Sequence, residues 1–213
     1  MSEFERRSPS SPQRPGWPAG RIAWALLGML ALVAGGGGAY FSLRPGSGSQ
    51  PAPVAPPGNA ALFQLHASPR PVPDIAFEDG QGRNRALSEF RDRVVLVNLW
   101  ATWCAPCREE MPALDRLQQK LGGPGFQVLA LSVDSGGAAV VKRFYDEIGI
   151  RSLAIYVDPA VRAMGALAVA GIPTTLLLDR QGREIGRRTG PARWDAPEAV
   201  RAITGYMGPG AKP

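Results

Sequence analysis

Two cysteines stand three positions apart in this 213-residue chain, Cys104 and Cys107, and there is no third. Such a pair can form a reversible disulfide or hold a soft metal, because the thiolate is both nucleophile and ligand. It cannot be a structural scaffold, which staples distant segments. Closing so small a loop would also restrain the unfolded chain little. A zinc site needs four ligands, and here there is no second cysteine pair. The lone histidine, His66, lies in a Pro/Ala-rich stretch away from the motif. No metal site and no cofactor are therefore expected. A pair of buried, inert thiols is the remaining plain alternative to redox chemistry.

A reactive cysteine needs an environment that favours its anion. The apolar run Val94–Leu99 reads as a buried strand, and a helix with Met111, Leu114, Leu117 and Leu121 on one face follows the motif. That order puts Cys104 at a helix N-terminus, where backbone N–H groups and the dipole stabilise negative charge. Cys107 falls about one turn along, within reach of a mixed disulfide on Cys104. Pro106 suits the first turn, which can spare an N–H. Pro112 is expected to kink the helix, and Gly122-Gly123 to end it. Trp100 and Trp103 flank the motif. Trp103 reads as part of an apolar contact surface for partner proteins, against the simpler reading of core packing.

The elements around the motif alternate. Ile75–Glu78 and the turn at Asp79-Gly80 suggest an entry hairpin. Phe126–Val133 and Leu153–Val157 read as strands. Val141, Phe144 and Ile148 make a helix stripe stopping at Gly149. Asp158-Pro159 looks like an N-cap followed by proline at the first position of a helix that reaches about Ala168. Thr174–Leu178 is a strand, Asp179–Gly182 a turn, and Glu184–Thr189 a polar returning strand expected at the sheet edge. Asp195 with Glu198 resembles a capping box for a last helix through Val200, Ile203 and Met207. The implied class is α/β: a mixed central sheet with helices on both faces.

The N-terminal third differs. Residues 1–21 are Pro/Ser/Arg-rich and read as a disordered cytoplasmic tail. Residues 22–43 carry no charge and are long enough to span a hydrocarbon core of about 30 Å. Four arginines from Arg6 to Arg21 precede them and only Arg44 closely follows, so the positive-inside rule keeps the N-terminus in the cytoplasm. The expectation is a single-pass inner-membrane anchor with everything after it in the periplasm. A cleaved signal with small residues at Gly37-Gly38-Ala39 and a core helix are the alternatives. Residues 44–70 read as a Pro/Ala-rich spacer and residues 71–208 as the folded domain. Net charge is +6, scattered along the chain rather than gathered, so no nucleic acid is expected as a partner.

With W-A-T-W-C-A-P-C-R-E-E-M-P at 100–112 and G-I-P-T-T at 171–175 in view, the chain resembles the TlpA-like branch of the thioredoxin superfamily. The run G-P-A-R-W-D at 190–195 resembles TlpA proteins more than the cytochrome c maturation relatives. The resemblance implies a thioredoxin fold, with Cys104 attacking and Cys107 resolving. It implies that Pro173 is cis and lies against the disulfide, while Ile172 and Thr174 offer backbone to a partner's strand. Trp103 and Pro106 complete that binding set. Glu110 falls in the C-R-x-E-x-P pattern and either influences thiol titration or caps the surface; Trp100 joins it as a modulating residue. Members are membrane-anchored periplasmic reductants that reduce apocytochromes or copper-site proteins of cytochrome oxidase and draw electrons from a DsbD-type membrane reductase. Two departures stand out. Asn98 occupies a place where cytoplasmic thioredoxins carry a buried aspartate, so no carboxylate base is present there. The stretch 134–137 offers Asp134 where some relatives carry an active-site glutamate.

The expected activity is thiol–disulfide exchange. A copper chaperone using the same two thiolates and a peroxidase are the rivals. The peroxidase reading lacks its P-x-x-x-T-x-x-C context, and the copper reading lacks a nearby histidine, with Met111 the one close soft ligand.

Overall fold

The computed structural model describes residues 62–208. The expected tail, the apolar segment 22–43 and most of the spacer lie outside that range. Among the described residues, no helix is long and apolar enough to cross a membrane.

Eight strands form one mixed sheet: β1 Gln64–Arg70, β2 Ala76–Asp79, β3 Asn84–Ala86, β4 Val94–Trp100, β5 Phe126–Ser132, β6 Tyr156–Val157, β7 Thr174–Leu178 and β8 Glu184–Thr189. Their order is β1-β8-β7-β4-β5-β6-β2-β3. The central strands β4, β5 and β6 run parallel, and β7 lies antiparallel to β4. The helices are α1 Ala105–Leu121, α2 Gly137–Ile148, α3 Arg162–Ala166 and α4 Pro197–Met207.

β4 explains why the site forms where it does. All seven of its residues are buried, as expected for a parallel strand covered on both faces. Val94, Leu96 and Trp100 pack on one face with Met111, Leu114, Val141, Phe144, Val200 and Ile203. Val95, Val97 and Leu99 pack on the other with Phe77, Phe90, Ala163 and Leu167. Helices thus cover both faces of a thioredoxin-like α/β sheet, unevenly: α1, α2 and α4 on the first, the short α3 on the second. β4 therefore ends at a fixed point, and α1 starts from it after a four-residue turn.

Several local expectations are corrected. The folded domain begins before Pro71: β1 pairs with β8, and Phe63 is buried against Trp194 with ring centroids 5.8 Å apart. His66 belongs to this strand, its Nε2 2.9 Å from Glu184 Oε1. β8 is consequently interior and β1 is the edge strand. Glu184 is buried, which opposes its ionisation, yet hydrogen bonds from Arg187 and His66 hold its carboxyl below the usual range. In the stretch 153–157 only Tyr156 and Val157 are strand. The helix after Asp158-Pro159 starts at Arg162, because Val161 takes a left-handed conformation, φ 57°. Asp158 still caps it, accepting from Ala163 N at 2.6 Å. Asp195 makes no capping box; its carboxylate binds Arg116 at 2.8 Å, and Ala196 is the N-cap of α4.

The correction at the N-terminal edge is testable. Phe63→Ala should cost about 3–5 kcal/mol in urea unfolding, the range for emptying a buried aromatic site. A cost below about 0.5 kcal/mol, the range of a neutral surface change, would return residues 62–70 to the spacer.

Candidate redox site

Cys104 is the N-cap residue of α1, with φ −88° and ψ 103°, and Pro106 occupies the first turn. The first i to i+4 bond runs from Arg108 N to Cys104 O, 3.0 Å. Ahead of it, Pro106 has no N–H, so the amide donors of the first turn are those of Ala105 and Cys107. They belong to the end of the helix where the dipole favours an anion. The two cysteines are joined, S–S 2.01 Å. Their exposures differ in a way that matters: Cys104 is 7% accessible and Cys107 0%. A partner sulfur can reach only the first.

The second motif comes to the same place. The Ile172–Pro173 peptide is cis, and the Ile172 carbonyl oxygen lies 3.7 Å from Cys104 Sγ. A disulfide sulfur has no proton to give, so in the oxidised state this is a contact; a reduced Cys104 thiol would find an acceptor there. Thr174 turns its hydroxyl inward, donating to Gly171 O at 2.6 Å. Trp103 is 69% exposed, the larger of two exposed large apolar side chains among the described residues. Pro106 is exposed beside it. Trp103 and Pro106 are thus exposed on either side of Cys104 in the chain, half-buried Ile172 meets the Cys104 sulfur through its carbonyl, and Pro173 and Thr174 are buried behind it. Trp100 does not join them. It is fully buried, stacked on Tyr145 at 5.8 Å and beside Phe144 at 5.4 Å, as part of the core.

Glu110 is not a surface cap. It is buried one helical turn after Cys107, its Oε1 accepting from Asn98 Nδ2 at 2.8 Å. Its Oε2 accepts from Trp194 Nε1 at 2.8 Å and from Ala192 N at 3.0 Å. Asn98 Nδ2 also donates to Thr175 Oγ1 at 2.9 Å. Burial raises the Glu110 carboxyl above the ordinary range; the Trp194, Asn98 and Ala192 donors and the Arg188 charge oppose this without cancelling it. The position that lacks an aspartate at residue 98 therefore holds an amide that presents a carboxylate from the next helix. Glu110 also lines an open cleft of about 430 Å³ with Glu109, Arg188, Pro191, Ala192 and Arg193. A cavity of similar size, about 460 Å³, is lined by Asp79, Lys142, Tyr145 and Leu153, and no residue of the cysteine motif borders it.

Because the folded Glu110 holds its proton into a higher pH range than an unfolded glutamate, it favours folding fully below the unfolded pKa. That contribution is lost as pH rises through the folded value. Glu110→Gln removes it. The stability difference between variant and wild type should shift towards the variant as pH is raised from about 4 to 8. A difference that stays constant in chemical denaturation across that range would contradict the assignment.

Spacing alone did not identify Trp194 as a partner of Glu110, 84 positions away. Nor did it place Thr102 and Asp134, which meet at the base of the motif: Asp134 accepts from Thr102 N at 2.8 Å and from Thr102 Oγ1 at 2.7 Å. The tryptophan within G-P-A-R-W-D was the one available signal for the former.

The chain is 33% identical over 112 residues to the thiol-disulfide oxidoreductase ResA of Geobacillus thermodenitrificans, covering 53% of this chain and 63% of that one. It is 30% identical over 114 residues to the ResA of Bacillus thuringiensis, 54% and 65%. The match thus spans a little under two thirds of these relatives' length. Among solved structures, a thioredoxin-family thiol:disulfide interchange protein from Chlorobium tepidum superposes with TM-score 0.53 at 26% identity, covering 67% of this chain and 99% of that one. A secreted thiol-disulfide isomerase from Corynebacterium glutamicum gives 0.55 at 27%, covering 66% and 90%. The AhpC/TSA family profile matches residues 69–185, just over half of the chain and inclusive of both cysteines and Pro173, and the chain belongs to that family.

Proposed function

We propose that the protein is a thiol–disulfide oxidoreductase that reduces disulfides in periplasmic client proteins. The observation that carries this is the Cys104–Cys107 disulfide at the start of α1, with one sulfur reachable and the other sealed. In the reduced protein the Cys104 thiolate attacks a client disulfide sulfur. One client thiolate leaves and a mixed disulfide forms. Cys107, losing its proton, then attacks Cys104 Sγ, releasing the second client thiolate and closing the protein's own disulfide. Trp103, Pro106 and the Ile172–Thr174 segment receive the client chain around the bond.

Residues 22–43 anchor the protein in the inner membrane, and the domain works on the periplasmic side. Apocytochromes and copper-site proteins of cytochrome oxidase are the proposed clients, and a DsbD-type membrane reductase restores the dithiol. The uncharged segment, the arginines before it, and the likeness to the oxidoreductases and to a secreted isomerase support this reading. Among the described residues no three His, Cys, Asp or Glu side chains converge on a metal-sized site.

The test combines turnover with poise. The reduced protein should reduce a disulfide-bonded test substrate catalytically, with Cys104→Ser at background. The midpoint potential should lie below the client's, each 30 mV being worth about 1.4 kcal/mol. Stoichiometric Cu(I) retention without turnover, or peroxide consumption in its place, would overturn the reading. A reporter active only outside the cytoplasm, fused after residue 60, should be active; an inactive fusion would sink the proposed topology.

A further inference from the structure

The carboxylate of Asp134 is 4% exposed and surrounded by neutral donors. Thr102 N and Thr102 Oγ1 reach it at 2.8 and 2.7 Å, and Ser132 Oγ at 2.7 Å. No salt bridge to it occurs among the described residues. Two of its three side-chain bonds thus go to a single residue, the one two places before Cys104. The other side of that residue is also held: the Thr102 carbonyl accepts from Arg108 Nη1 at 3.2 Å. Arg108 belongs to α1, and its guanidinium lies 4.6 Å from the centre of the Phe144 ring. Cys104 N closes the turn by donating to Ala101 O at 3.2 Å.

We propose that Asp134 is a positioning residue for the nucleophile, acting through Thr102. Asp134, just past the end of β5, fixes the Thr102 amide and hydroxyl, and Arg108 fixes the Thr102 carbonyl to the helix. The turn from Ala101 to Cys104 is then held in one conformation relative to α1. The Cys104 sulfur then keeps its place at the N-terminal end of α1 because residues 101–103 are held from both sides. The arrangement also has an electrostatic component of opposite sign. A buried carboxylate near a thiolate disfavours the thiolate through its field, so removing Asp134 would make Cys104 more acidic if the field dominated. If position dominates, removal makes it less acidic. The sign decides between the two.

This inference rests on Cys104 being the attacking thiol, and the experiment separates the two claims. The rate of Cys104 alkylation by iodoacetamide is followed against pH in the reduced full chain, for wild type, Thr102→Val, Thr102→Ser and Asp134→Ala. Thr102→Val keeps the side-chain shape and removes one bond with no change in charge, so it serves even if Asp134→Ala fails to fold. Thr102→Val and Asp134→Ala should raise the Cys104 midpoint by about one pH unit, roughly a tenfold loss of thiolate below it. Thr102→Ser, which retains the hydroxyl, should stay within about twofold of wild type. An unchanged profile in Thr102→Val, or a lowered midpoint in Asp134→Ala, overturns the positioning role, as does a fall in melting temperature with no change of profile. A wild-type midpoint no lower than that of a free thiol removes the proposed function itself, and the positioning role with it.

Discussion

Cys107→Ser is expected to stop turnover and leave client proteins covalently attached through Cys104. Cys104 can still attack, because its sulfur is the accessible one, but the thiol that resolves the mixed disulfide is gone. Cys107 approaches from the sealed side of the bond, at 0% exposure. An external thiol must instead compete for a crowded sulfur from outside. Losing a neighbour held at high effective concentration should cost on the order of a thousandfold or more in the release step. Non-reducing electrophoresis and mass spectrometry would show the adducts, with reductant dissolving them. Cys104→Ser should trap nothing. The reverse pattern, adducts on Cys107 in the Cys104 variant, would invert the roles assigned here.

The second large effect is on stability and lies outside the cysteine motif. Trp194 is fully buried, packs on Phe63 and donates to Glu110. Trp194→Ala should cost about 3–5 kcal/mol by emptying that volume, and should also leave Glu110 one donor short. Trp194→Phe separates the two contributions. It keeps most of the apolar volume but removes the N–H, leaving Glu110 Oε2 only the Ala192 amide. The carboxylate is then harder to ionise, so its pKa rises further. A loss of about 1–3 kcal/mol is expected above the Glu110 titration, where the buried charge needs its donors. It should shrink at lower pH, where the acid is neutral. Urea unfolding at two pH values measures both; a pH-independent Trp194→Phe effect would uncouple the tryptophan from the carboxylate.

The parts legible in the sequence were those governed by local signals. The run Val94–Leu99 is apolar enough to be a strand buried on both faces, and the helix stripe after Cys107 has the right period. The prolines at 106 and 173 carry their constraints with them. β1 was not legible, because His66-Ala67-Ser68-Pro69-Arg70 has the composition of a linker. An edge strand tolerates that composition, since one side of it makes no ladder bonds and a proline there costs little. Missing β1 made β8 look like an edge. Asp158 and Asp195 both read as helix caps; the first keeps a local capping bond, to Ala163 N, whereas the partner of the second, Arg116, is set by tertiary packing. The same applies to Glu110. Its position three residues after Cys107 is local, while its burial depends on a loop more than 80 positions away.

The most direct test of the central claim is a spectroscopic titration of the thiolate in the reduced protein, with Cys107→Ser isolating Cys104. Stabilised at the start of α1, Cys104 should ionise well below the value of about 8.5 for a free cysteine thiol. A titration at or above that value, with no exchange against any disulfide, would contradict the account.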